Sequence, residues 1–235
     1  MLPLRDNIRS RGFPLVNTAI IVTCVVVFLW QVLVDPDQGL RYAFFPRALL
    51  SPAAVPELGG MSGLVGLFTS IFLHGGLAHV SMNMLFLWVF GDNVEDRMGH
   101  LRYLVFYVLC GVLGNLAHAL MSGFAPLPLV GASGAISGVM GAYFVLFRMA
   151  YIRTFAFLLF YPVVFDLPAS VFLFYWFILQ LFAGLGSLGM ASGVAFWAHV
   201  GGFGAGYFLV RRFARPLRPP PARPIYPRVV NLRIE

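Results

Sequence analysis

Four side chains able to do acyl-transfer chemistry stand out because each lies near the start of a long apolar stretch. Ser133 sits in Gly131-Ala132-Ser133-Gly134, His79 and Asn83 open a second stretch, and His199 opens a third. A serine hydroxyl can attack a carbonyl, an imidazole can take its proton, and imidazole or amide N–H groups can hold the oxyanion that forms. Polar groups are costly in hydrocarbon and tend to mark function there. The set reads as a nucleophilic hydrolase working within a membrane.

The stretches that carry these residues dominate the composition. Of 235 residues 60% are hydrophobic and 11% charged, with a mean hydropathy of +0.84. That places the chain among polytopic membrane proteins. The net charge of +7 comes from sixteen arginines, seven of them between Arg211 and Arg233. A basic flank of this kind orients a membrane protein and touches anionic lipid, and nothing interleaves it with a nucleic-acid fold. Cys24 and Cys110 fall inside apolar stretches and read as packing residues. The first apolar run, from Phe13 to Val34, is too long for a signal-peptide core and reads as a retained span.

Six segments are long enough to cross a bilayer: 14–34, 77–95, 101–121, 131–150, 168–185 and 194–213. The expected fold is therefore an all-α membrane bundle of six helices. With the N-terminus in the cytoplasm, fourteen arginines lie inside and two, Arg41 and Arg47, outside. The positive-inside rule favours that arrangement, with both termini cytoplasmic. The second, fourth and sixth spans then all run inward. His79, Asn83, Ser133 and His199 fall in one layer, within roughly 10 Å of the outer helix ends.

The expected organisation is a cytoplasmic N-terminus at 1–13, a six-span membrane domain at 14–213 and a disordered Pro/Arg-rich cytoplasmic tail at 214–235. The long loop 35–76, with Pro36, Pro46, Pro52 and Pro56 among residues such as Phe44, Phe45, Leu49, Leu50, Leu64 and Phe68, reads as interfacial. The charge-free, glycine-rich segment 184–193 reads as a mobile cap.

Blander roles exist for each residue. Gly134, Gly138 and Gly141 form a small-residue packing face to which Ser133 could simply belong. Gly202 and Gly206 form a matching face beside His199, and two such faces would bring a serine and a histidine close. His79 and Asn83 lie about 40° apart on one helical face, suited to two oxyanion donors or to an interhelical hydrogen bond. His74 lies about 140° from His79 on a helix, which makes a poor metal pair, and no cofactor is called for. His118, near Asn115, reads as packing, and His100 as a solvated turn residue. Asp92, Glu95, Asp96 and Asp166 fall on the inner side, and Asp35, Asp37 and Glu57 in the outer loop. None is positioned to orient His199, so the expectation is a Ser133–His199 dyad and not a triad with an aspartate.

These segments resemble a known family. His74-Gly-Gly-Leu-Ala-His79-Val-Ser-Met-Asn83, Gly131-Ala-Ser133-Gly134 and Ala198-His199-Val-Gly201-Gly202 are similar to the three signature segments of rhomboid intramembrane serine proteases. Trp176 to Gln180 resembles that family's fifth span, and the likeness runs from about Leu15 to Phe213. The resemblance implies Ser133 as nucleophile, His199 as general base, and an oxyanion hole of His79, Asn83 and the Ser133 backbone N–H. It implies single-span membrane proteins as substrates, cut near the outer end of their helix, with the enzyme in a bacterial inner membrane. Many members pack an aromatic against the catalytic histidine from one turn after the nucleophile. Ser137 stands there in this chain, and Phe196 and Trp197 are the candidates to replace it.

Two other readings compete. A catalytically inactive rhomboid-like protein that binds membrane clients would usually lack the serine or the histidine, and this chain has both. A channel or transporter would carry charged or repeated polar groups along its spans, and almost none are present. Substrate identity and oligomeric state leave no mark in the sequence.

Overall fold

The computed structural model describes residues 1–34, 36–51, 63–188 and 193–215. Outside them lie Asp35, residues 52–62 of the first long loop (with Pro52, Pro56 and Glu57), residues 189–192 of the glycine-rich cap, and 216–235 of the tail. Strand β1 (Leu2–Asp6) precedes helix α1 (Leu15–Leu33). The short helices α2 (Pro36–Arg41) and α3 (Gly63–Thr69) lead into α4 (Leu77–Met98), α5 (His100–Met121) and α6 (Ser133–Leu146). Strands β2 (Tyr151–Leu158) and β3 (Tyr161–Pro168) then precede α7 (Ala169–Gly186) and α8 (Phe196–Phe213). Six long helices thus fall on the six expected spans, and the chain is a polytopic helical membrane protein.

Side-chain contacts fix the helix directions. Glu95, near the end of α4, accepts the backbone N–H groups of Val16 and Asn17 at the start of α1. It thereby fills two of the donors that a helix N-terminus leaves unpaired, and it also bonds the His100 ring at the start of α5. The backbone N–H of Arg215, just past α8, donates to the Arg97 carbonyl of α4. Tyr143, late in α6, and Asn93, late in α4, both reach Asp6. The C-terminal ends of α4, α6 and α8 therefore share one end of the bundle with the starts of α1 and α5. Between α4 and α5 the chain turns at Gly99, whose φ of +81° suits glycine, with the Arg215 guanidinium packed where a Cβ would stand.

Among the described residues, three helices are long and apolar enough to cross a membrane individually: α1, α5 and α7. The pair formed by 63–72 and α4 qualifies when taken together, with a 76° bend between its halves. The other two helices, α6 and α8, are central instead. Every residue from Gly134 to Tyr143 is buried, so α6 meets protein on most sides, and α8 packs its Gly202 and Gly206 face against it. Glycine sets their spacing. A Cβ on Gly202 would come within 2.0 Å of the Gly134 carbonyl oxygen, and one on Gly206 within 1.9 Å of that of Gly138. The small-residue faces of the two spans are in direct backbone contact.

α6 holds only 14 residues, about 21 Å at the helical rise, against a hydrocarbon core of about 30 Å. Taken alone it is too short to span that core. The irregular chain before it stays paired: Phe44 and Leu129 exchange both backbone bonds, and the Gly131 N–H donates to the Ser70 carbonyl. Non-helical backbone at membrane depth is tolerated only when protein satisfies it in this way.

Three features differ from the sequence expectation. A three-stranded antiparallel sheet, in the order β1-β2-β3, lies at the end of the bundle where α4, α6 and α8 finish. It arises because β-branched and aromatic residues alternate after α6, with Ile152 and Thr154 turned inward. The long loop is partly core and not wholly interfacial: Phe44 and Phe45 are buried, whereas Leu50, Leu64 and Phe68 remain exposed. The glycine-rich cap begins as helix, since α7 continues to Gly186 and Ser187 Oγ donates to the Gly184 carbonyl.

Candidate active site

His79, Asn83, Ser133 and His199 all line one cavity of about 1160 Å³, bounded by α4, α5, α6, α7 and α8. Each sits in the first two turns of its helix. Ser133 opens α6, His79 is the third residue of α4 and His199 the fourth of α8. Gly134 rests on Ala198, a Cβ there lying 3.5 Å from the Ala198 carbonyl oxygen. The neighbours of Ser133 and His199 thus face each other with room for little more than a methyl group between them.

Hydrogen bonds define the two imidazoles. His199 Nδ1 lies 2.8 Å from Gln180 Oε1 on α7. With the amide oxygen turned toward the ring, this contact suits a proton on Nδ1 and a lone pair on Nε2. At His79 the pattern is reversed: the Gly75 N–H donates to Nδ1 at 3.4 Å. That leaves the proton on Nε2, which faces Gly131, where a Cβ would lie 2.9 Å from Nε2 and 3.5 Å from Ser133 Oγ. Gly131, at φ +133°, provides both the turn and the room. One imidazole is left as a proton acceptor and the other as a donor beside the serine.

Asn83 is 7% exposed, and its Nδ2 is buried with no hydrogen-bond partner among the described residues. An unpaired buried donor costs about 1–3 kcal/mol, a cost that an incoming oxygen acceptor would relieve. Among the described hydrogen bonds none joins Ser133 Oγ to His199. Such contacts are commonly long in a free enzyme and tighten around a substrate.

Aromatic rings hold His199. Trp176 packs against it at 5.9 Å between centroids with a 37° tilt, and Phe196 stands edge-on at 6.4 Å. Phe196 fits its sequence expectation. Trp197 packs on Gly184, and Trp176 supplies the flatter contact. Trp176 and Gln180 are four residues apart, on one face of α7, and that spacing was the available signal for both. Ser137 is buried and donates through Oγ to the Ser133 carbonyl at 2.6 Å, a bond within the helix. His118 departs from the packing role expected of it, because it lines the same cavity, with Nδ1 buried and unpaired. Asn115 is structural, donating to the Leu67 carbonyl and to Ser70 Oγ.

Fold and cavity together define a polytopic helical membrane protein with a polar cluster sunk below one face. The chain belongs to the rhomboid family: residues 62–216 match the rhomboid domain. It is 45% identical to the rhomboid protease GluP of Bacillus subtilis over 76 residues, which are 32% of this chain and 14% of that protein. It is 28% identical to the rhomboid protease GlpG of Salmonella paratyphi A over 140 residues, 59% of this chain and 46% of the relative. RHOMBOID-like protein 1 of Arabidopsis thaliana is 30% identical over 155 residues, 55% of this chain and 39% of that one. The matched region spans less than half the length of each of these relatives.

Proposed function

We propose that the chain is an intramembrane serine endopeptidase that cleaves single-span membrane proteins through a Ser133–His199 dyad. In this reading His199 Nε2 takes the proton of Ser133 Oγ as the oxygen attacks the scissile carbonyl. The resulting oxyanion is held by His79 Nε2–H, Asn83 Nδ2–H and the Ser133 backbone N–H at the start of α6. His199 then passes its proton to the leaving amine, and an acyl-enzyme remains on Ser133. Water entering the cavity repeats the sequence, with His199 as base, and releases the second fragment.

The observation that carries this reading is the convergence of His79, Asn83, Ser133 and His199 on one cavity, with Gln180 beside His199 Nδ1 and the Gly75 N–H beside His79 Nδ1 in contacts that suit a base and a donor. Oxyanion donors count most where water is scarce, each being worth roughly 3–4 kcal/mol. The proposed setting is a bacterial inner membrane, with both termini cytoplasmic and the polar cluster near the outer face. The proposed organisation is a membrane domain at 14–213 between the short N-terminal segment and the tail.

Reconstitution with a single-span substrate tests the activity. The wild type should cut within or near the outer end of the substrate helix, and Ser133→Ala should not. A chain that binds the substrate equally well with either residue, and cuts with neither, would be a client-binding relative and not a protease. An impermeant thiol reagent tests the orientation in intact cells. It should reach a cysteine placed at Leu188 from outside and should not reach one at His100.

A further inference from the structure

The β2–β3 hairpin has no role in the reading above, yet it carries the two most exposed large apolar side chains among the described residues, Phe160 and Leu159. Leu158, Leu159, Phe160 and Tyr161 at its tip are 67, 85, 91 and 76% exposed. From Thr154 to Phe165 there is no charged residue. The base is different. Ile152 and Thr154 are fully buried against the bundle, and Arg153 pairs with Asp166 at 3.0 Å. The tip lies five residues beyond that ion pair in the register, about 17 Å along the strands. A seated base with a projecting, uncharged end would be costly in water.

We propose that this hairpin is an interfacial anchor whose tip inserts into the lipid leaflet at the end of the bundle where α4 and α8 finish. Three observations favour lipid over a protein partner. The exposed apolar surface is continuous with the lipid-facing side of α7: β3 runs directly into that helix, and Val164, Val171 and Phe174 are all more than half exposed. The same end of the bundle carries Arg5, Arg97, Arg148, Arg153, Arg211 and Arg212, which complement anionic headgroups. The finger is also apolar on both faces, which suits a fluid surrounding better than a flat docking partner. Inserted apolar groups of this type sit about 5–10 Å below the headgroup boundary. Gripping the leaflet there would fix the tilt of α7, on which Trp176 and Gln180 stand.

Nitroxide labels on Phe160→Cys and Tyr161→Cys, with a reference label on Arg9→Cys, test this in the full chain. The chain is reconstituted in phosphatidylcholine–phosphatidylglycerol vesicles. Cys24 and Cys110 are fully buried and stay out of reach of an aqueous label. Both tip labels should collide with oxygen in preference to a water-soluble nickel chelate, at a depth of roughly 5–10 Å, while the reference label shows the reverse. Three results would overturn the anchor. Tip labels as accessible to the chelate as the reference would place the tip in water. Dipolar broadening that disappears on dilution with unlabelled protein would make the tip a contact between copies. Exposure of the tip on removal of residues 216–235 would make the tail its cover.

Discussion

His199 and Gln180 are joined by a 2.8 Å contact between Nδ1 and the side-chain amide oxygen, and no carboxylate takes that position. A neutral acceptor fixes the imidazole without placing a charge in hydrocarbon, where an unpaired carboxylate would be costly. Gln180→Leu should therefore lower kcat on the order of 100-fold, the lower end of what general-base catalysis contributes. KM should change little. Gln180→Glu, which keeps an acceptor oxygen, should lose less. Equal losses in the two variants would mean that Gln180 serves only as packing.

Asn83 separates activity from stability. Asn83→Ala removes an orphaned donor, so the free protein should melt at the same temperature or higher in detergent. Cleavage should fall by about 10- to 1,000-fold, because His79 and the backbone donor remain. A fall in melting temperature would show that Asn83 is paired in the working protein.

Ser137 provides a control one turn from Ser133. Its hydroxyl is committed to the Ser133 carbonyl, a bond inside the helix. Ser137→Ala should keep most of the cleavage rate, measured beside Ser133→Ala in the same membranes.

The glycine contacts predict a steep size dependence. Gly206→Ala puts a methyl within 1.9 Å of a backbone oxygen of α6, so the two helices must separate. Overpacking of this kind typically costs about 1–3 kcal/mol. Gly204 has open space around its Cβ position, and Gly204→Ala should be near neutral in the same thermal assay.

Glu95 tests the other end of the bundle, far from the cavity. Glu95→Ala leaves the Val16 and Asn17 N–H groups without their acceptor, at a cost of roughly 1–3 kcal/mol per buried orphan. Thermal stability should drop, while the rate per folded molecule stays near wild type.

Much of this arrangement was legible in the sequence because bilayer physics is one-dimensional. Apolar length gives the helices, and the small-residue faces around Gly134 and Gly202 anticipate the contact of α6 with α8. What escaped depends on the third dimension. The sheet escaped because residues 151–168 are apolar without a helical period, and their pairing with β1 joins segments about 150 residues apart in sequence. The orientation of His199 is not legible there because its partner is a neutral amide, and Gln180 meets it only once α7 packs on α8. The place of His118 on the cavity is likewise not legible, because depth along a helix says little about which cavity a side chain reaches.

The most direct test of the central proposal is covalent labelling with a fluorophosphonate, mapped by peptide mass spectrometry. A serine becomes reactive to such a probe when a base and an oxyanion site act on it. The proposal predicts one adduct, on Ser133, lost in His199→Ala and kept in Ser137→Ala. An adduct on another serine, or labelling of Ser133 that is indifferent to His199, would contradict it.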